Sequence, residues 1–216
     1  MLRIAREAAG SKAPILGINV GSLGFLTDVP SSRLSRALKQ IWAGEVVLET
    51  RALIAASVKI RGRRISALAL NDFVITRGAS PRLIELAVSV DDEVLTRYRC
   101  DGLVVCSPTG STAYSLAAGG AVVYPSAYVF TLTPICPHTL SNRSVIVTLG
   151  STIKVKVLSE TVEVILTGDG QTTSPLAAGD VVVIEKSRYA IELMHLAGSS
   201  FFETLRRKLN WSGSNV

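Results

Sequence analysis

The chain has 216 residues, of which 48% are hydrophobic and 19% are charged, and its formal net charge is +6. This composition excludes an intrinsically disordered chain and leaves room for one or two globular domains. The basic excess suits phosphate-bearing ligands or weak nucleic-acid contact, but ordinary proteins carry similar charge, so it does not decide between them.

The cysteine pattern and the N-terminus exclude further classes. Cys100, Cys106 and Cys136 form no CxxC pair, which argues against a disulfide framework and a structural zinc site. Prolines and glycines interrupt the long uncharged stretch, so it does not predict a spanning helix. The first residues carry charges and no apolar core typical of a signal peptide. We therefore expect a cytoplasmic protein with reduced cysteines.

The first part of the chain reads as a mixture of helix and strand. We predict helices at Met1–Ala9 and Ser31–Ile41, each followed by a glycine stop. Between them, Ile15–Ile18 is an apolar run typical of a buried strand, and Asn19–Asp28 is predicted to be a loop.

After residue 44 the apolar period changes from 3.6 to 2, which indicates a β-rich body. The predicted strands and hairpins are Val58–Ile60 before an RGR turn, Ile84–Val90 up to the turn Asp91–Glu93, Ile153–Val157, Val162–Leu166 and Val181–Ile184. Several short strands separated by turn signals favour a β-sandwich or a barrel-like domain. The chain returns to helix at Phe201–Leu209.

One long stretch without charge follows Asp101. No Asp, Glu, Lys or Arg occurs from residue 102 to 142. Leu103–Cys106 is predicted to be a buried strand, Gly110 a sharp turn, and Ser111 or Thr112 the cap of a short helix. The exposed N–H groups of such a helix start suit polar or anionic groups, Tyr114 offers a ring for stacking, and Asp101 can accept hydroxyl hydrogen bonds. A capped helix in a core is the alternative, but the density of hydroxyl groups favours a ligand site.

Three other motifs are weaker. Asn71-Asp72 suits recognition of polar nucleotide edges, although the pattern alone favours a turn. The glycines of Gly17–Asp28 do not match a dinucleotide fingerprint, and Gly168–Gln171 follows a strand with no helix after it, which favours a hairpin turn over a phosphate loop. His138 and His195 are isolated and are predicted to be structural.

Taken together, these motifs resemble the NAD kinase family, which phosphorylates the 2′-hydroxyl of the adenosine ribose of NAD. The resemblance covers essentially the whole chain, in the family's order. It is carried by ILGINVGSLGFLTDV, ALNDFVITRG, RCDGLVVCSPTGSTAYSLAAGGAVVYPS, LTPICPHTLSNR, TGDGQ and FFETLRRKLNW.

The resemblance implies an α+β fold in which a partial N-terminal α/β nucleotide-binding domain precedes a C-terminal β-sandwich and a terminal helix. The implied boundaries are 1–30 for the remnant of the α/β domain, 31–198 for the mainly β NAD-binding domain, and 199–216 for a helix that returns to the first domain. It also implies NAD, NADP and ATP or polyphosphate as ligands, a divalent metal such as Mg²⁺, and a homodimer or homotetramer. No nucleic-acid or membrane partner is implied.

The resemblance also assigns site residues. Asn71 and Asp72 match the pair that contacts the adenosine of NAD, and Asp101, just after Arg99, matches a ribose-holding carboxylate that is often supplied across a subunit interface. Arg3 matches a helix arginine near the ATP phosphates. The remaining implied NAD contacts are Arg82, Thr112, Ala113, Tyr114, Ser115 and Gln171. Metal ligands stay unassigned.

The sequence departs from the family at its start. The family's GGDG motif, which holds the proposed general base, comes just before a helix that resembles MLRIAR at Met1–Arg6. GGDG is missing here, and Gly168–Gly170 matches a different family position. The first helix also lacks an N-cap residue. We therefore expect a truncated chain with no catalytic residue of its own. The alternatives are a non-catalytic NAD(P)-binding module and a lipid kinase of the diacylglycerol-kinase type.

Overall fold

The computed structural model describes residues 1–21, 24–27, 29–60, 62–139 and 143–211. Within these ranges the helices are short: α1 is Leu2–Glu7, α2 is Leu34–Trp42, α3 is Tyr114–Ala117 and α4 is Phe201–Leu209, with 3₁₀ turns at Ser31–Arg33 and Thr109–Thr112. The strands are β1 Ile15–Leu16, β2 Ile18–Asn19, β3 Val29–Pro30, β4 Val46–Ile60, β5 Arg63–Ala69, β6 Asp72–Arg77, β7 Ile84–Val90, β8 Glu93–Cys100, β9 Gly102–Cys106, β10 Val129–Ile135, β11 Val145–Thr148, β12 Ile153–Val157, β13 Val164–Gly168, β14 Thr172–Leu176 and β15 Val181–Leu196.

The chain divides into two compact units. The larger unit contains Leu2–Ala9 and Ala52–Ala190, and the smaller one contains Met1, Gly10–Arg51 and the chain from Ile191 onward. The long strands β4 and β15 supply residues to both units.

The larger unit is built on two sheets. One has the strand order β5-β4-β15-β12-β7-β8, and the other has the order β11-β10-β9-β6-β13-β14. Alternate residues of both sheets, such as Leu86 of β7 and Leu103 of β9, belong to one buried apolar cluster. Two sheets that share a core in this way form a β-sandwich, so the predicted α+β fold class is confirmed.

In the smaller unit, β1 pairs in parallel with the end of β15, and β2 pairs in parallel with β3. The predicted last helix is confirmed as α4 at Phe201–Leu209. Ser200 caps it by accepting a hydrogen bond from the N–H of Glu203, and Asn210 ends it in the left-handed conformation.

The predicted hairpins are present, but several predicted strand bounds differ from the structure. The strand predicted at Val162–Leu166 is shifted by two residues, to Val164–Gly168. The apolar run Ile15–Ile18 forms two two-residue strands with partly buried residues, because Gly17 separates them. The strand predicted at Val181–Ile184 continues to Leu196. Its second half carries polar residues that a short apolar window does not recognise as strand. The loop predicted at Asn19–Asp28 falls partly outside the described residues.

Candidate active site

A cavity of about 430 Å³ opens in the larger unit at one end of the central strands of the second sheet. Its walls combine carboxylates, amide and hydroxyl groups, aliphatic side chains and one aromatic ring. The lining residues are Asn71, Asp72, Val74, Thr76, Ala113, Tyr114, Thr167, Asp169 and Gly170.

The strand order explains why distant motifs meet there. Strand β6 lies between β9 and β13 and is antiparallel to both. The start of β6 therefore lies beside the ends of β9 and β13, with Asp72 opposite Cys106 and Phe73 opposite Gly168. The segment before β6, the turn after β9 and the hairpin after β13 consequently meet at one end of these three central strands.

The Asp169 carboxylate connects the segments that meet at this end of the strands. It sits in the β13–β14 hairpin, where Asp169 and Gly170 both have positive φ, as a tight hairpin turn requires. Its side chain is fully buried. The carboxylate accepts hydrogen bonds from the backbone N–H groups of Leu70 at 3.0 Å, Asn71 at 2.8 Å and Asp72 at 3.4 Å. These bonds hold the segment before β6 in place.

Two polar side chains of the cavity wall, Asn71 and Asp72, carry buried oxygen atoms that can accept hydrogen bonds. The Oδ1 atom of Asn71 is buried and has no hydrogen-bond partner among the described residues. Asp72 is 4% exposed. Burial, followed by the nearby charge of Asp169, raises the pKa of the Asp72 carboxyl to about 7. Buried acceptors of this kind are stabilised when a ligand brings hydrogen-bond donors.

The turn after β9 packs tightly against the segment before β6. The hydroxyl of Ser107 donates to the Leu70 carbonyl at 2.6 Å. A Cβ added at Gly110 would lie 2.2 Å from the Asn71 carbonyl oxygen, so only glycine fits there. The charge-free run thus lets two backbone segments approach closely enough to form the cavity wall.

The predicted helix cap is wrong. The residues Thr109–Thr112 form a 3₁₀ turn, and Ala113 precedes α3 without any side-chain cap. The Ser111 hydroxyl is buried and instead donates to the Pro108 carbonyl at 2.7 Å, and it accepts from the N–H of Val123 at 3.0 Å. The hydroxyl serves loop packing, so the expected polar site at a capped helix start does not form as predicted.

The structure brings four of the predicted site residues into the cavity wall: Asn71, Asp72, Ala113 and Tyr114. The Tyr114 ring is available, because the residue is 45% exposed. Ser115 is fully buried behind the wall, with its Oγ 2.9 Å from the Oγ1 of Thr133.

The other predicted residues do not line this cavity. Asp101 is held by the Nε of Arg77 at 2.6 Å. The hydroxyl of Thr112 points back to the Thr109 carbonyl at 3.4 Å. The residues Arg3, Arg82, Arg99 and Gln171 are exposed.

Some of these exposed residues have partners. Arg3 pairs with Glu7 at 2.8 Å on α1. The Oε1 of Gln171 accepts a hydrogen bond from Arg6 at 2.5 Å. Gln171 therefore lies one residue beyond the cavity wall, which ends at Gly170.

Sequence reasoning missed several wall residues. Val74 and Thr76 follow Asp72 at period 2 on β6, so the alternation of a strand would have placed all three on one face. Asp169 was recognised as part of a hairpin turn but not as a site residue. Its contacts join positions about a hundred residues apart, for which the local pattern carries no signal.

The described part of the chain contains no helix that is both long and apolar enough to cross a membrane. It also contains no group of three or more His, Cys, Asp or Glu residues placed to hold a metal ion.

Comparison with known sequences identifies both parts of the chain. Residues 1–46 match the ATP-NAD kinase N-terminal domain, and residues 70–196 match the ATP-NAD kinase C-terminal domain. An NAD kinase of Syntrophotalea carbinolica is 42% identical over 212 residues, which cover 98% of this chain and 74% of the relative. An NAD kinase of Moorella thermoacetica is 44% identical over 214 residues, which cover 99% of this chain and 69% of the relative.

Comparison with solved structures indicates the same family. Yeast NADH kinase complexed with NADH superposes with a TM-score of 0.92 at 28% identity, over 100% of this chain and 65% of the yeast chain. An NAD kinase from Archaeoglobus fulgidus in complex with ATP superposes with a TM-score of 0.79 at 30% identity, over 97% of this chain and 80% of the archaeal chain. Both domain matches, the identities above 40% and these structural neighbours agree. The chain therefore belongs to the NAD kinase family of phosphotransferases.

Proposed function

We propose that the cavity binds the adenosine half of NAD, and that the protein transfers the γ-phosphoryl group of ATP, or a phosphoryl group of polyphosphate, to the 2′-hydroxyl of that ribose. The product is NADP. The observation that carries the proposal is that Asn71, Asp72 and Tyr114, which are separated in sequence, line one cavity.

The chemistry of the wall fits this ligand. Ribose hydroxyls and the adenine amino group are hydrogen-bond donors. The Asn71 Oδ1 is a buried acceptor without a partner among the described residues, and the Asp72 carboxyl is a further acceptor in the wall. An unpaired buried acceptor costs about 1–3 kcal/mol, and a bound ligand removes that cost. The half-exposed Tyr114 ring can stack on the adenine, and the small Ala113 side chain lets the base approach.

The structural neighbours are consistent with this assignment, since one was solved with NADH and another with ATP. Thr112 and Ser115, which the resemblance also assigns to the adenine side, do not line the cavity and are proposed to support its wall from behind. Gln171, one residue beyond the wall, is proposed as a further contact. As the resemblance implies, we assign Asp101 to a ribose contact supplied across a subunit interface of a homodimer or homotetramer, and we keep Arg82 and Arg99 as further proposed NAD contacts.

A dedicated metal cage does not fit the described residues. The two carboxylate oxygens of Asp169 already accept three backbone N–H groups and a guanidinium N–H. A divalent ion such as Mg²⁺ is expected to arrive on the ATP phosphates, to which it binds with few protein ligands. We assign no step to a metal held by this chain.

The phosphate side of the reaction needs groups beyond the cavity. Phosphoryl transfer depends on positioning and on electrostatic stabilisation, and a positioned general base contributes about 10²–10⁴-fold. The resemblance assigns the base to GGDG, which the 216 residues do not contain. Within them, only Arg3 is proposed to lie near the ATP phosphates.

Titration calorimetry with NAD tests the proposed pocket. Tyr114→Ala and Asn71→Ala should each weaken binding about tenfold or more, because base stacking contributes about 1–3 kcal/mol and a lost polar partner a similar amount. Tyr128→Ala is the matched control, since Tyr128 is also about half exposed and does not line the cavity. Equal NAD affinity for Tyr114→Ala and the wild type would exclude the pocket.

A non-catalytic NAD(P)-binding module is the second candidate, since the groups that line the cavity suit recognition of NAD. The two candidates differ in turnover. The 216-residue chain, given NAD, ATP and Mg²⁺, should form NADP in a dehydrogenase-coupled assay if it is a kinase by itself. NAD binding without any NADP would support the binding module.

A further inference from the structure

Arg6 connects the first helix to the cavity. It lies on α1, and its side chain is 14% exposed. Its Nη1 donates to the Oδ2 of Asp169 at 2.7 Å, and its Nη2 donates to the Oε1 of Gln171 at 2.5 Å. One guanidinium therefore donates hydrogen bonds to two side chains of the β13–β14 hairpin. The planar, rigid guanidinium of arginine favours such two-point contacts.

The hairpin carboxylate in turn holds the polar wall of the cavity. Asp169 accepts hydrogen bonds from the N–H groups of Leu70, Asn71 and Asp72, so its carboxylate fixes the backbone from which the Asn71 and Asp72 side chains project. Arg6 and the segment 70–72 do not share a hydrogen bond. The hydrogen-bonded connection from Arg6 to this segment therefore runs through Asp169.

Electrostatics gives Arg6 a second role. Asp72 is buried beside Asp169, the Cys106 thiol of the neighbouring strand is close enough to interact with it, and Tyr114 lines the same cavity. Two carboxylates in one buried site repel each other. Arg6 is the cation that directly pairs with one of them, with both partners largely removed from water.

We propose that Arg6 is a positioning residue for the dinucleotide pocket: through its ion pair with Asp169 it fixes the backbone of Asn71 and Asp72, and its positive charge offsets that of the Asp169 carboxylate beside Asp72. This inference rests on the proposed function, because it takes NAD as the ligand. It adds that the helix carrying Arg3, proposed to lie near the ATP phosphates, is tied to the NAD pocket by a specific ion pair.

The test uses the purified 216-residue chain with Arg6→Met, which removes the charge, and Arg6→Lys, which keeps the charge but loses the two-point grip. Arg64→Met is the matched control, because Arg64 is an exposed arginine of the same unit. NAD affinity is measured by calorimetry from pH 6 to pH 8.5, and thermal unfolding checks that each variant is folded.

We expect Arg6→Met to weaken NAD binding about tenfold or more, comparable to the loss seen when a group that orients a metal ligand is removed. The pH at which NAD affinity reaches half of its maximum should rise, because Asp72 ionises less readily once the cation is gone. Arg6→Lys should keep the wild-type midpoint while losing part of the affinity. A purely structural role would change stability without moving the midpoint.

Amide hydrogen exchange at residues 70–72 gives a readout that needs no NAD, and it should become faster in both Arg6 variants than in Arg64→Met. Should Arg6→Met fail to fold, Arg6→Lys carries the test. Wild-type affinity together with unchanged exchange in the folded Arg6 variant would overturn the inference. Absence of NAD binding by the wild type would overturn the proposed function, while faster exchange in the variants would still support the positioning contact.

Discussion

The substitution Asp72→Asn should make the protein more stable at neutral pH while weakening its binding of NAD. Burial, and then the charge of Asp169, raise the pKa of the Asp72 carboxyl from 3.8 to about 7. The folded protein therefore holds a proton on this group more tightly than the unfolded chain does. The resulting stabilisation is present below about pH 4 and is lost as the pH rises through about 7.

The magnitude follows from the pKa difference. The gap between 3.8 and about 7, at about 1.36 kcal/mol per pH unit, corresponds to ~4 kcal/mol of lost stability once Asp72 is ionised. Structural relaxation around the charge reduces this figure, so we expect a difference of about 2–4 kcal/mol between Asp72→Asn and the wild type at pH 8. The amide is neutral at every pH and has nearly the shape of the protonated carboxyl.

Urea unfolding of both proteins between pH 4.5 and pH 8 measures the effect. All other titrating groups are common to the two proteins, so the difference between their free energies of unfolding isolates Asp72. That difference should grow with pH up to about 7 and then level off. NAD affinity at pH 8 should fall about tenfold, because the amide is a poorer acceptor than the carboxylate. A constant difference across the pH range, or a less stable variant at pH 8, would refute the reasoning.

Two further predictions concern packing and acid stability. Gly110→Ala should destabilise the protein by about 1–3 kcal/mol and weaken NAD binding, because the new Cβ would lie 2.2 Å from the Asn71 carbonyl oxygen. Urea unfolding measures the change in stability. Gly21→Ala is the control and should differ little from wild type, because there is open space around the added carbon. Hydrogen bonding from His195, and then from Arg51, lowers the pKa of Glu49 to about 2, so its contribution to stability is present above about pH 4.5 and is lost as the pH falls toward 2. The free energy of unfolding of Glu49→Gln, followed by circular dichroism, should therefore fall less steeply than that of the wild type between pH 4.5 and pH 2. An equally steep fall in both proteins would contradict this.

Local pattern was sufficient for much of the fold. The bounds of α4, from Phe201 to Leu209, agree with the prediction because its cap, its apolar spacing and its left-handed end are all encoded within a dozen residues. The hairpins at Asp91–Asp92 and Asp169–Gly170 were likewise readable, since only a few residue types accept positive φ at such turns.

The candidate site was predictable only in part. The resemblance to the NAD kinase family assigned Asn71, Asp72, Ala113 and Tyr114 to a nucleotide pocket, and in the structure these four residues line one cavity. Asp101 was predicted from the same motif, yet it lies outside the cavity wall and pairs with Arg77. Membership of a motif does not determine the direction in which a side chain points, because adjacent residues of a strand face opposite sides of the sheet.

The sequence by itself determined the class of the fold, its period-2 strands and the charge-free run of small residues, because these depend on local backbone preference and on the burial of alternate side chains. Only the tertiary structure decided that Asp169 holds the Asn71–Asp72 segment and is itself held by Arg6. These bonds span 98 and 163 residues of sequence. They form because antiparallel strand order brings the start of β6 beside the end of β13, and no local window contains that information.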